Sequence, residues 1–276
     1  MESILYVSEI FKDNDTYLNQ LTDYTNNQYH THDFFEIFYV VDGSAQQKLN
    51  NTWQEIACGD LFILRPSDYH CFKSNGNDFY HRDFFIRSEA LKDFCNTFGS
   101  RLYTSITSTT APPVLTLTID KLNELEELFN KTNASIDLEE KETFYKFILS
   151  NILSTFFSEQ NNKKTSTASW INKLISSLSL PYNLNMPLSE IMAEIPYNRS
   201  YICRAFKSKT GKTPTEYFND QKLAYAYLQI ISSTKSITQI ANSIGIYHRS
   251  LFYRLFNKKY GISPSELKKR SQTQHT

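Results

Sequence analysis

The chain has 276 residues, of which 40% are hydrophobic, and its formal net charge is zero. This length and composition predict about two packed domains. No apolar run is long enough for a transmembrane helix, and the N-terminus lacks the pattern of a secretory signal, so we expect neither. The four cysteines, at positions 58, 71, 95 and 203, show no CxxC spacing. They are typical of reduced thiols in a cytoplasmic protein rather than of disulfides or a zinc site.

The neutral total hides a division of charge along the chain. Residues 168–276 contain 15 Lys and Arg against 5 Asp and Glu, a net charge of +10. Residues 1–167 hold the other 14 basic and 24 acidic residues, a net charge of −10. This division predicts that the C-terminal part binds a polyanion. A basic surface that is merely solvated is the alternative.

The N-terminal residues 1–87 have the pattern of short β-strands. The aromatic and β-branched run 34–41 ends at Asp42-Gly43, which predicts a turn. Residues 46–56 predict two strands joined at Asn50-Asn51, and residues 61–64 predict another. Strands at about ten-residue spacing indicate a β-barrel or a β-sandwich.

Helical patterns follow from residue 88 onward. Residues 88–98 predict a short helix, and residues 100–117 predict a loop with a final strand. Residues 119–133 and 138–157 predict two amphipathic helices, which we expect to form an antiparallel hairpin because the loop between them is short. The apolar stripes of this hairpin either cover the β domain or form part of a dimer interface.

The polar segment 158–168 predicts a linker. It separates a predicted N-terminal domain, 1–157, from a predicted C-terminal domain, 169–276. The predicted fold class is therefore α+β and multidomain, with a β-barrel and a helical hairpin followed by an all-α domain.

The C-terminal domain contains one pattern twice. Six residues recur at an offset of 50: Arg204, Phe206, Lys209, Gly211, Pro214 and Glu216 return as Arg254, Phe256, Lys259, Gly261, Pro264 and Glu266. Self-similarity at a fixed offset indicates a duplicated structural unit.

Each copy predicts a helix-turn-helix. The first helices are predicted at 188–195 and 237–244, where apolar residues follow helical spacing and Ser236 with Gln239 forms a capping box. The second helices are predicted at about 198–209 and 248–260. Their expected inward residues are Tyr201, Ile202, Ala205, Phe206, Leu251, Phe252, Leu255 and Phe256.

The outer faces of the second helices are predicted to contact DNA. An α-helix fits the major groove, and an Arg guanidinium can donate two hydrogen bonds to a guanine edge or neutralise a phosphate. Both roles stay open for each Arg. The predicted DNA-contacting residues are Arg199, Ser200, Cys203, Arg204, Lys207, Arg249, Ser250, Tyr253, Arg254 and Asn257.

A stiff connection is predicted between the two copies. Thr213, Pro214 and Glu216 predict the capped start of a helix that continues to about residue 232. At 1.5 Å per residue this helix would be about 28 Å long. One chain could then enter two successive major grooves, which lie about 34 Å apart.

Residues 170–270 resemble the DNA-binding domain of the AraC/XylS family of bacterial transcription regulators. The resemblance rests on Ile240-Ala241, Gly245, Arg254, Phe256, Lys259, Gly261, Ser263-Pro264 and Glu266, with their first-copy partners. Pro196 stands where the family's turn usually has glycine, which predicts an altered first turn. Residues 30–43 and 59–70 are similar to the cupin-like sensor barrel of the same family. The resemblance implies effector sensing in the barrel, dimerisation through the helices after it, and promoter binding by the C-terminal domain.

A histidine cluster provides the candidate effector site. Its members are His30, His32, Glu36 and His70, and alternate residues of a strand point to the same side. Three imidazoles and a carboxylate would also suit a first-row divalent ion, so a metal site, a polar effector pocket and simple packing all stay open. We select the effector pocket, add Arg65, and predict no metal. Tyr39, Trp53 and Tyr80 could supply the aromatic surface that suits a sugar.

The combined prediction is a cytoplasmic, homodimeric transcription regulator, an activator rather than a repressor, and not an enzyme. Its expected partners are promoter DNA, a small polar metabolite such as a sugar, a second copy of the chain and RNA polymerase, with no membrane partner and no cofactor. The alternative is a metal-dependent cupin enzyme fused to a DNA-binding domain.

Overall fold

A computed structural model describes most of the chain, namely residues 3–6, 10–11, 16–22, 28–76, 78–99, 101–164 and 170–273. The chain separates into two compact units, one of residues 1–117 and 127–157 and one of residues 118–126 and 158–276. The first is built around β-sheet and the second is helical. The predicted α+β, multidomain fold class is confirmed.

Nine strands in the described part of the first unit form two sheets that share β4. The strands are β1 (Ser3–Leu5), β2 (Tyr17–Thr22), β3 (His30–His32), β4 (Phe35–Leu49), β5 (Thr52–Ala57), β6 (Asp60–Leu64), β7 (His70–Lys73), β8 (Phe79–Ile86) and β9 (Val114–Thr116). One sheet has the order β1-β3-β7-β4-β5, and the other has the order β2-β8-β4-β6-β9. The N-terminal half of β4 belongs to the second sheet and its C-terminal half to the first.

The predicted turn at Asp42-Gly43 is wrong, because β4 continues through both residues to Leu49. The strand instead contains an irregularity in register between Val40 and Asp42. Gly43 has a φ of 79°, and a Cβ at this position would lie 1.7 Å from the backbone oxygen of Asp78. The glycine therefore marks a bulge with a close approach of two strands, not a chain reversal. The chain reverses at Asn50-Asn51, as predicted, and Asn50 has a φ of 51°.

The core of the first unit is aromatic and lies on both faces of β4. Ile37, Phe38 and Tyr39 are fully buried although they alternate in direction along the strand. Phe38 stacks on Phe62 of β6 with ring centroids 4.9 Å apart. Phe84 of β8 lies against Phe129 in the helical layer, at 5.6 Å. This packing explains why the run 34–41 is apolar at every position except Glu36, rather than alternating.

In the described residues, four helices lie between β8 and residue 170: α1 (Ser88–Thr97), α2 (Arg101–Thr107), α3 (Ile119–Ala134) and α4 (Leu138–Lys164). Helix α2 lies where the sequence predicted a loop, since Ser and Thr favour irregular structure, yet Leu102 and Ile106 bury one helical face. Helix α4 continues through Lys164, so residues 158–164 of the predicted linker are helical. Residues 165–168 lie outside the described residues, and the exact domain boundaries stay a prediction.

The second unit contains seven helices in its described residues 170–273. They are α5 (Trp170–Leu178), α6 (Leu188–Ile191), α7 (Arg199–Thr210), α8 (Pro214–Ser232), α9 (Ile237–Ser243), α10 (Arg249–Tyr260) and α11 (Pro264–Thr273). Helix α8 has the predicted bounds. It begins with a complete capping box between Thr213 and Glu216, and its buried residues include Phe218, Leu223 and Leu228. No helix among the described residues is long and apolar enough to cross a membrane.

Substitution of Gly43 by Ala tests the bulge in β4. The added methyl group would meet the Asp78 carbonyl in a left-handed backbone, so we expect a loss of roughly 2–4 kcal/mol in the free energy of unfolding. The measurement is urea unfolding in a Trp170→Phe background, where Trp53 fluorescence reports on the first unit alone.

Gly76→Ala is the matched control. Gly76 has a φ of 89°, but no atom lies within 4 Å of the position that a Cβ would take there. Its cost should be limited to the backbone conformation, about 1–2 kcal/mol. Equal losses for the two variants would contradict the steric role assigned to Gly43.

Candidate DNA interface and effector cavity

The second helices of the two copies, α7 and α10, end in the same way. Gly211 and Gly261 follow them with φ of 77° and 68°. This left-handed conformation favours glycine, which accounts for its recurrence in the repeat. At its other end α7 is capped by Asn198, whose Oδ1 accepts a hydrogen bond from the Tyr201 amide at 2.9 Å.

Both helices are anchored by equivalent apolar residues. Ile202 and Phe206 of α7 are buried, as are Phe252 and Phe256 of α10. The other predicted inward residues, Ala205, Leu251 and Leu255, are half-buried. The two helices therefore present equivalent faces to solvent.

The prediction that Tyr201 points inward is wrong. This residue is 43% exposed, and its ring lies 4.9 Å from Tyr197 and 6.1 Å from Trp170. The three aromatic residues form a cluster at the surface, beside the N-terminal end of α7. The sequence offered no periodic signal for it, because its members come from α5, the turn and α7.

The predicted DNA-contacting residues lie on the outward faces of α7 and α10. The exposed ones are Arg199, Ser200, Arg204, Lys207, Arg249, Ser250, Arg254 and Asn257, and the half-buried ones are Cys203 and Tyr253. Within the described part of the chain, neither Arg204 nor Arg254 has an ion-pair partner. Arg249 donates a hydrogen bond to the Tyr253 hydroxyl at 3.2 Å. Unpaired guanidinium groups on an exposed helix face are available to phosphates and base edges.

The first helix-turn-helix is less complete than the second. Helix α6 ends at Ile191, short of the predicted residue 195, and buries none of its side chains. Pro196 has no amide hydrogen and disfavours helical backbone at Ile195, so it stops the helix from continuing through the predicted end. Helix α9 has the predicted capping box at Ser236 and buries Ile240 and Ala241. The altered first turn that Pro196 predicted is thus observed.

In the first unit, the candidate effector residues His30, His32, Glu36 and His70 are all buried. Strand pairing places His30 opposite His70, with ring centroids 4.3 Å apart. Glu36 Oε2 lies 3.2 Å from His32 Nε2 and 3.5 Å from His70 Nε2. The structure therefore brings four of the five predicted effector residues together.

A hydrogen bond determines which ring nitrogen of His32 carries a hydrogen and which has a free lone pair. Its Nδ1 lies 2.7 Å from the backbone oxygen of Phe34, which only accepts, so Nδ1 carries a hydrogen. In the neutral ring, Nε2 is then an acceptor that faces the Glu36 carboxylate. Two acceptors at this distance repel unless a proton or a cation lies between them. One ligand atom each from His32, Glu36 and His70 lies within 4.8 Å of the others, which is also compatible with a metal ion.

A cavity of about 460 Å³ opens beside this cluster. His30, Glu36 and His70 line it, together with polar and apolar residues that the sequence analysis missed: Asn19, Gln20, Thr22, His81, Asp83, Leu5, Ile10, Phe34, Phe72 and Phe85. No Lys or Arg occurs among these described lining residues. His81 and Asp83 could have been found from their alternation on β8, which repeats the spacing of His30 and His32.

The charges around the cavity follow from burial and from neighbouring groups. Burial acts to raise the pKa of Glu36, but the nearby imidazoles, His70 foremost, outweigh it and lower the pKa to about 2. Burial lowers the pKa of His70 to about 3 and that of His81 to about 4, so both are neutral at neutral pH. Burial, reinforced by the Glu36 charge, raises the pKa of Asp83 well above its usual range. At neutral pH an ionised Glu36 therefore lies beside neutral His70 and His81.

Several polar atoms of the cavity wall have no hydrogen-bond partner among the described residues. They include His70 Nδ1, His81 Nδ1 and Asp83 Oδ1. The other carboxyl oxygen of Asp83 accepts hydrogen bonds from Thr22 at 2.8 Å and Gln20 at 3.2 Å. Buried polar atoms without partners are costly, so they favour a polar ligand that satisfies them.

Arg65 does not join the candidate effector residues. Its guanidinium pairs with Asp68, at 2.8 Å and 2.9 Å, and also donates to Thr109. The predicted aromatic residues are likewise absent from the described lining: Tyr39 is buried against Phe129, and Trp53 is 49% exposed. The Arg65 guanidinium is therefore bound to Asp68 and Thr109 rather than directed into the cavity.

Comparison with known proteins assigns a role to each unit. Residues 17–148 match the AraC-like ligand binding domain, and residues 191–270 match a helix-turn-helix domain. The chain is 26% identical over 248 residues to the HTH-type transcriptional activator RhaS of Mannheimia succiniciproducens, covering 87% of this chain and 88% of that protein. It is 21% identical over 250 residues to the HTH-type transcriptional activator RhaR of an Enterobacter species, covering 88% and 87%.

Among solved structures, apo ToxT from Vibrio cholerae shows 17% identity and a TM-score of 0.41, covering 94% of this chain and 98% of that one. The two domain matches and the curated relatives indicate a DNA-binding regulator with a ligand-binding domain rather than an enzyme. The chain belongs to the AraC family of transcription regulators.

Proposed function

We propose that the chain is a homodimeric transcription activator in which an uncharged, polyhydroxylated metabolite such as a sugar occupies the cavity of the first unit. The two helix-turn-helix motifs of each chain read one promoter segment, and the bound dimer recruits RNA polymerase. The names of the curated relatives support activation. Because promoter DNA is in the cytoplasm of bacteria, the proposed place of action is cytoplasmic.

The equivalence of the two outward faces supports the DNA-binding part of the proposal. Arg199 and Arg204 of α7 correspond to Arg249 and Arg254 of α10, and all four are exposed. The N-terminal part of a recognition helix contacts base edges in the major groove, and these arginines lie in that part. The proposed DNA contacts are the ten predicted residues, with Cys203 and Tyr253 contributing their accessible edges.

The chemistry of the cavity supports an uncharged polar effector. An anionic ligand would be repelled by Glu36 and would find no Lys or Arg among the described lining residues. A polyhydroxylated ligand could donate to Glu36 and to the free ring nitrogens, and could exchange hydrogen bonds with Asp83. Phe34, Phe72 and Phe85 add apolar surface of the kind that packs against sugar rings. The proposed effector residues that line the cavity are therefore His30, Glu36, His70, His81 and Asp83. His32 is proposed to act through Glu36, which it contacts at 3.2 Å.

An apolar groove in the first unit supports dimerisation. Phe98 is 66% exposed and Phe147 is 56% exposed. A groove of about 540 Å³ between α1, α2 and α4 is lined by Phe94, Phe98 and Phe157, among others. Phe147 lies two helical turns before Ser154, which lines the groove, so the two residues project from the same side of α4. Exposed apolar surface of this kind is typical of protein interfaces.

Arg254→Ala tests the DNA contacts. If the guanidinium contacts a base, affinity for a duplex selected by the wild-type chain should fall by about 1–3 kcal/mol, while affinity for a scrambled duplex changes little. The measurement is fluorescence anisotropy over a range of salt concentrations. Lys173→Ala, which removes an exposed charge on α5, is the control for net charge. A loss shared equally by both duplexes would assign Arg254 to phosphate, and no loss would remove it from the contact set.

A thermal-shift screen tests the effector chemistry. Neutral hexoses, pentoses and deoxy sugars are compared with the corresponding sugar acids and with Zn²⁺, Ni²⁺ and Mn²⁺ alone. We expect a neutral sugar at 100 times its Kd to stabilise the chain by about 2.7 kcal/mol and to raise its Tm by several degrees. Glu36→Gln should abolish the shift, whereas Glu55→Gln, an exposed site on β5, should retain it. Stabilisation by a sugar acid or by a metal ion alone, lost in Glu36→Gln, would contradict the proposed effector class.

Phe147→Glu tests the dimer surface. A charge on the exposed apolar surface of α4 beside the groove should convert the dimer to a monomer, because burial of an unpaired carboxylate is costly. Sedimentation velocity on the full chain measures the change. Trp53→Glu is the control, since Trp53 is an exposed aromatic residue of similar accessibility on β5. A dimer that persists in Phe147→Glu, or dissociates equally in Trp53→Glu, would refute this surface.

A further inference from the structure

We propose that Asp220 of α8 is a positioning residue that fixes the orientation of α7 and α10 relative to each other. It would thereby set the spacing between the two DNA half-sites that one chain reads, a half-site being the base pairs contacted by one recognition helix. The inference rests on the proposed function, in which both helices bind one duplex.

Asp220 contacts one lysine from each copy, and we call these two contacts the first and the second arm. The first arm joins Asp220 to the first helix-turn-helix. Lys212 lies in the turn directly after α7, and its Nζ donates a hydrogen bond to Asp220 Oδ2 at 2.5 Å. The carboxylate raises the pKa of Lys212, so the ammonium stays charged throughout the neutral range. The end of α7 is thus connected to the seventh residue of α8.

The second arm joins the same residue to the second helix-turn-helix. Lys259 lies in the last turn of α10, and its Nζ donates to the Asp220 backbone oxygen at 2.6 Å while lying 3.7 Å from Oδ1. Burial lowers the pKa of Lys259, whereas Asp220 opposes that effect. A lysine that is partly desolvated depends more strongly on its anionic partner than an exposed one does.

The two arms start from equivalent ends of the two recognition helices. Lys212 follows Gly211, and Lys259 precedes Gly261 by two positions, so both lysines mark the C-terminal caps of the duplicated unit. Asp220 has no equivalent in the second copy, where position 270 is Arg. One residue therefore breaks the symmetry of the repeat: the Asp220 carboxylate accepts a hydrogen bond from Lys212 and forms an ion pair with Lys259, which also donates to the Asp220 backbone.

Aromatic residues of α10 near Lys259 also pack against α8. Tyr260, next to Lys259, lies 4.9 Å from Tyr227 of α8, and Phe256 stacks on the same ring at 6.4 Å. These apolar contacts hold α10 against α8. The contacts of Lys259 with Asp220 add a polar restraint on the orientation of α10. Partly exposed ion pairs add little to stability, which favours an effect on orientation over an effect on folding.

A different contact joins the copies from the other side. The Tyr247 hydroxyl, in the second turn, donates to Asn185 Oδ1 at 3.1 Å, and Asn185 precedes α6. A Cβ at Gly245 would lie only 3.1 Å from the same Asn185 oxygen. The helix-turn-helix motifs are thus connected at two separate places, so loss of Asp220 should loosen their orientation without separating them.

The consequence for DNA binding follows from effective concentration. After one recognition helix binds, the second half-site is favoured only if the second helix is held at the matching position and angle. Loosening that orientation reduces affinity for a duplex with both half-sites and leaves affinity for a single half-site unchanged. It also weakens discrimination between correct and incorrect spacing.

Asp220→Asn in the full chain provides the test. The probes are a duplex selected by the wild-type chain from a randomised pool, the same duplex with one base pair inserted or removed between the half-sites, and duplexes with either half-site scrambled. We expect about a tenfold loss of affinity for the selected duplex, less than about a twofold change for single half-sites, and a smaller penalty for altered spacing. Glu266→Gln, which makes the same change in charge at the exposed pair with Arg270, is the control and should match the wild type.

Three results would overturn the proposal. These are an unchanged affinity for the selected duplex, an equal loss on every duplex, and an unchanged spacing penalty. If Asp220→Asn does not fold, Lys212→Met and Lys259→Met each remove one arm and should show the same loss restricted to two-site duplexes. A wild-type chain whose affinity ignores spacing would contradict the two-helix function itself, which separates that failure from a failure of Asp220 alone.

Discussion

The rigid attachment of two recognition helices to α8 is the constraint on which DNA reading by this chain depends. Helix α8 begins with the capping box of Thr213 and Glu216 and buries residues along its length, including Phe218, Leu223, Ala226 and Ile230. A capped and packed helix does not bend at low energy, so it transmits the position of one helix-turn-helix to the other. Without it, the duplicated motifs would act as independent and weak binders.

In the first unit, the stabilisation from an aromatic core must offset the cost of burying the polar groups of a small cavity. The core places Phe38, Phe62 and Phe84 around β4, while His30, Glu36 and Asp83 line the adjacent cavity. Burying a charged carboxylate and several unpaired nitrogens costs free energy that the core must offset. A ligand that satisfied these groups would favour the conformation in which they are held together, which couples occupancy to the structure of this unit.

Prediction from the sequence succeeded where the determinants are local. The repeat, the capping boxes and the bounds of α8 all follow from residue types at fixed spacing. It was wrong at Gly43, where a bulge and a turn require the same residue and only the distant Asp78 decides between them. It was wrong at Tyr201 and in α2 because tertiary neighbours decide their exposure and their conformation.

In the candidate sites, too, local determinants could be predicted and tertiary ones could not. The outward residues of α7 and α10 could be assigned from helical periodicity, since one buried face fixes the other. The cavity could be assigned only in part, because His81 and Asp83 reach it through the pairing of β8 with β4. Arg65 was predicted to line the effector pocket, but its guanidinium pairs with Asp68, three residues later. The roles of Asp220, Lys212 and Lys259 depend on contacts between copies that a sequence repeat does not reveal.

Methylation protection of guanine N7 on a selected duplex tests the central claim most directly, because N7 faces the major groove. If α7 and α10 of one chain enter successive grooves, the full-length protein should protect two guanine-containing segments centred about 10 base pairs apart on one face of the duplex. Protection of a single segment, or of two segments half a helical turn out of phase, would contradict the account.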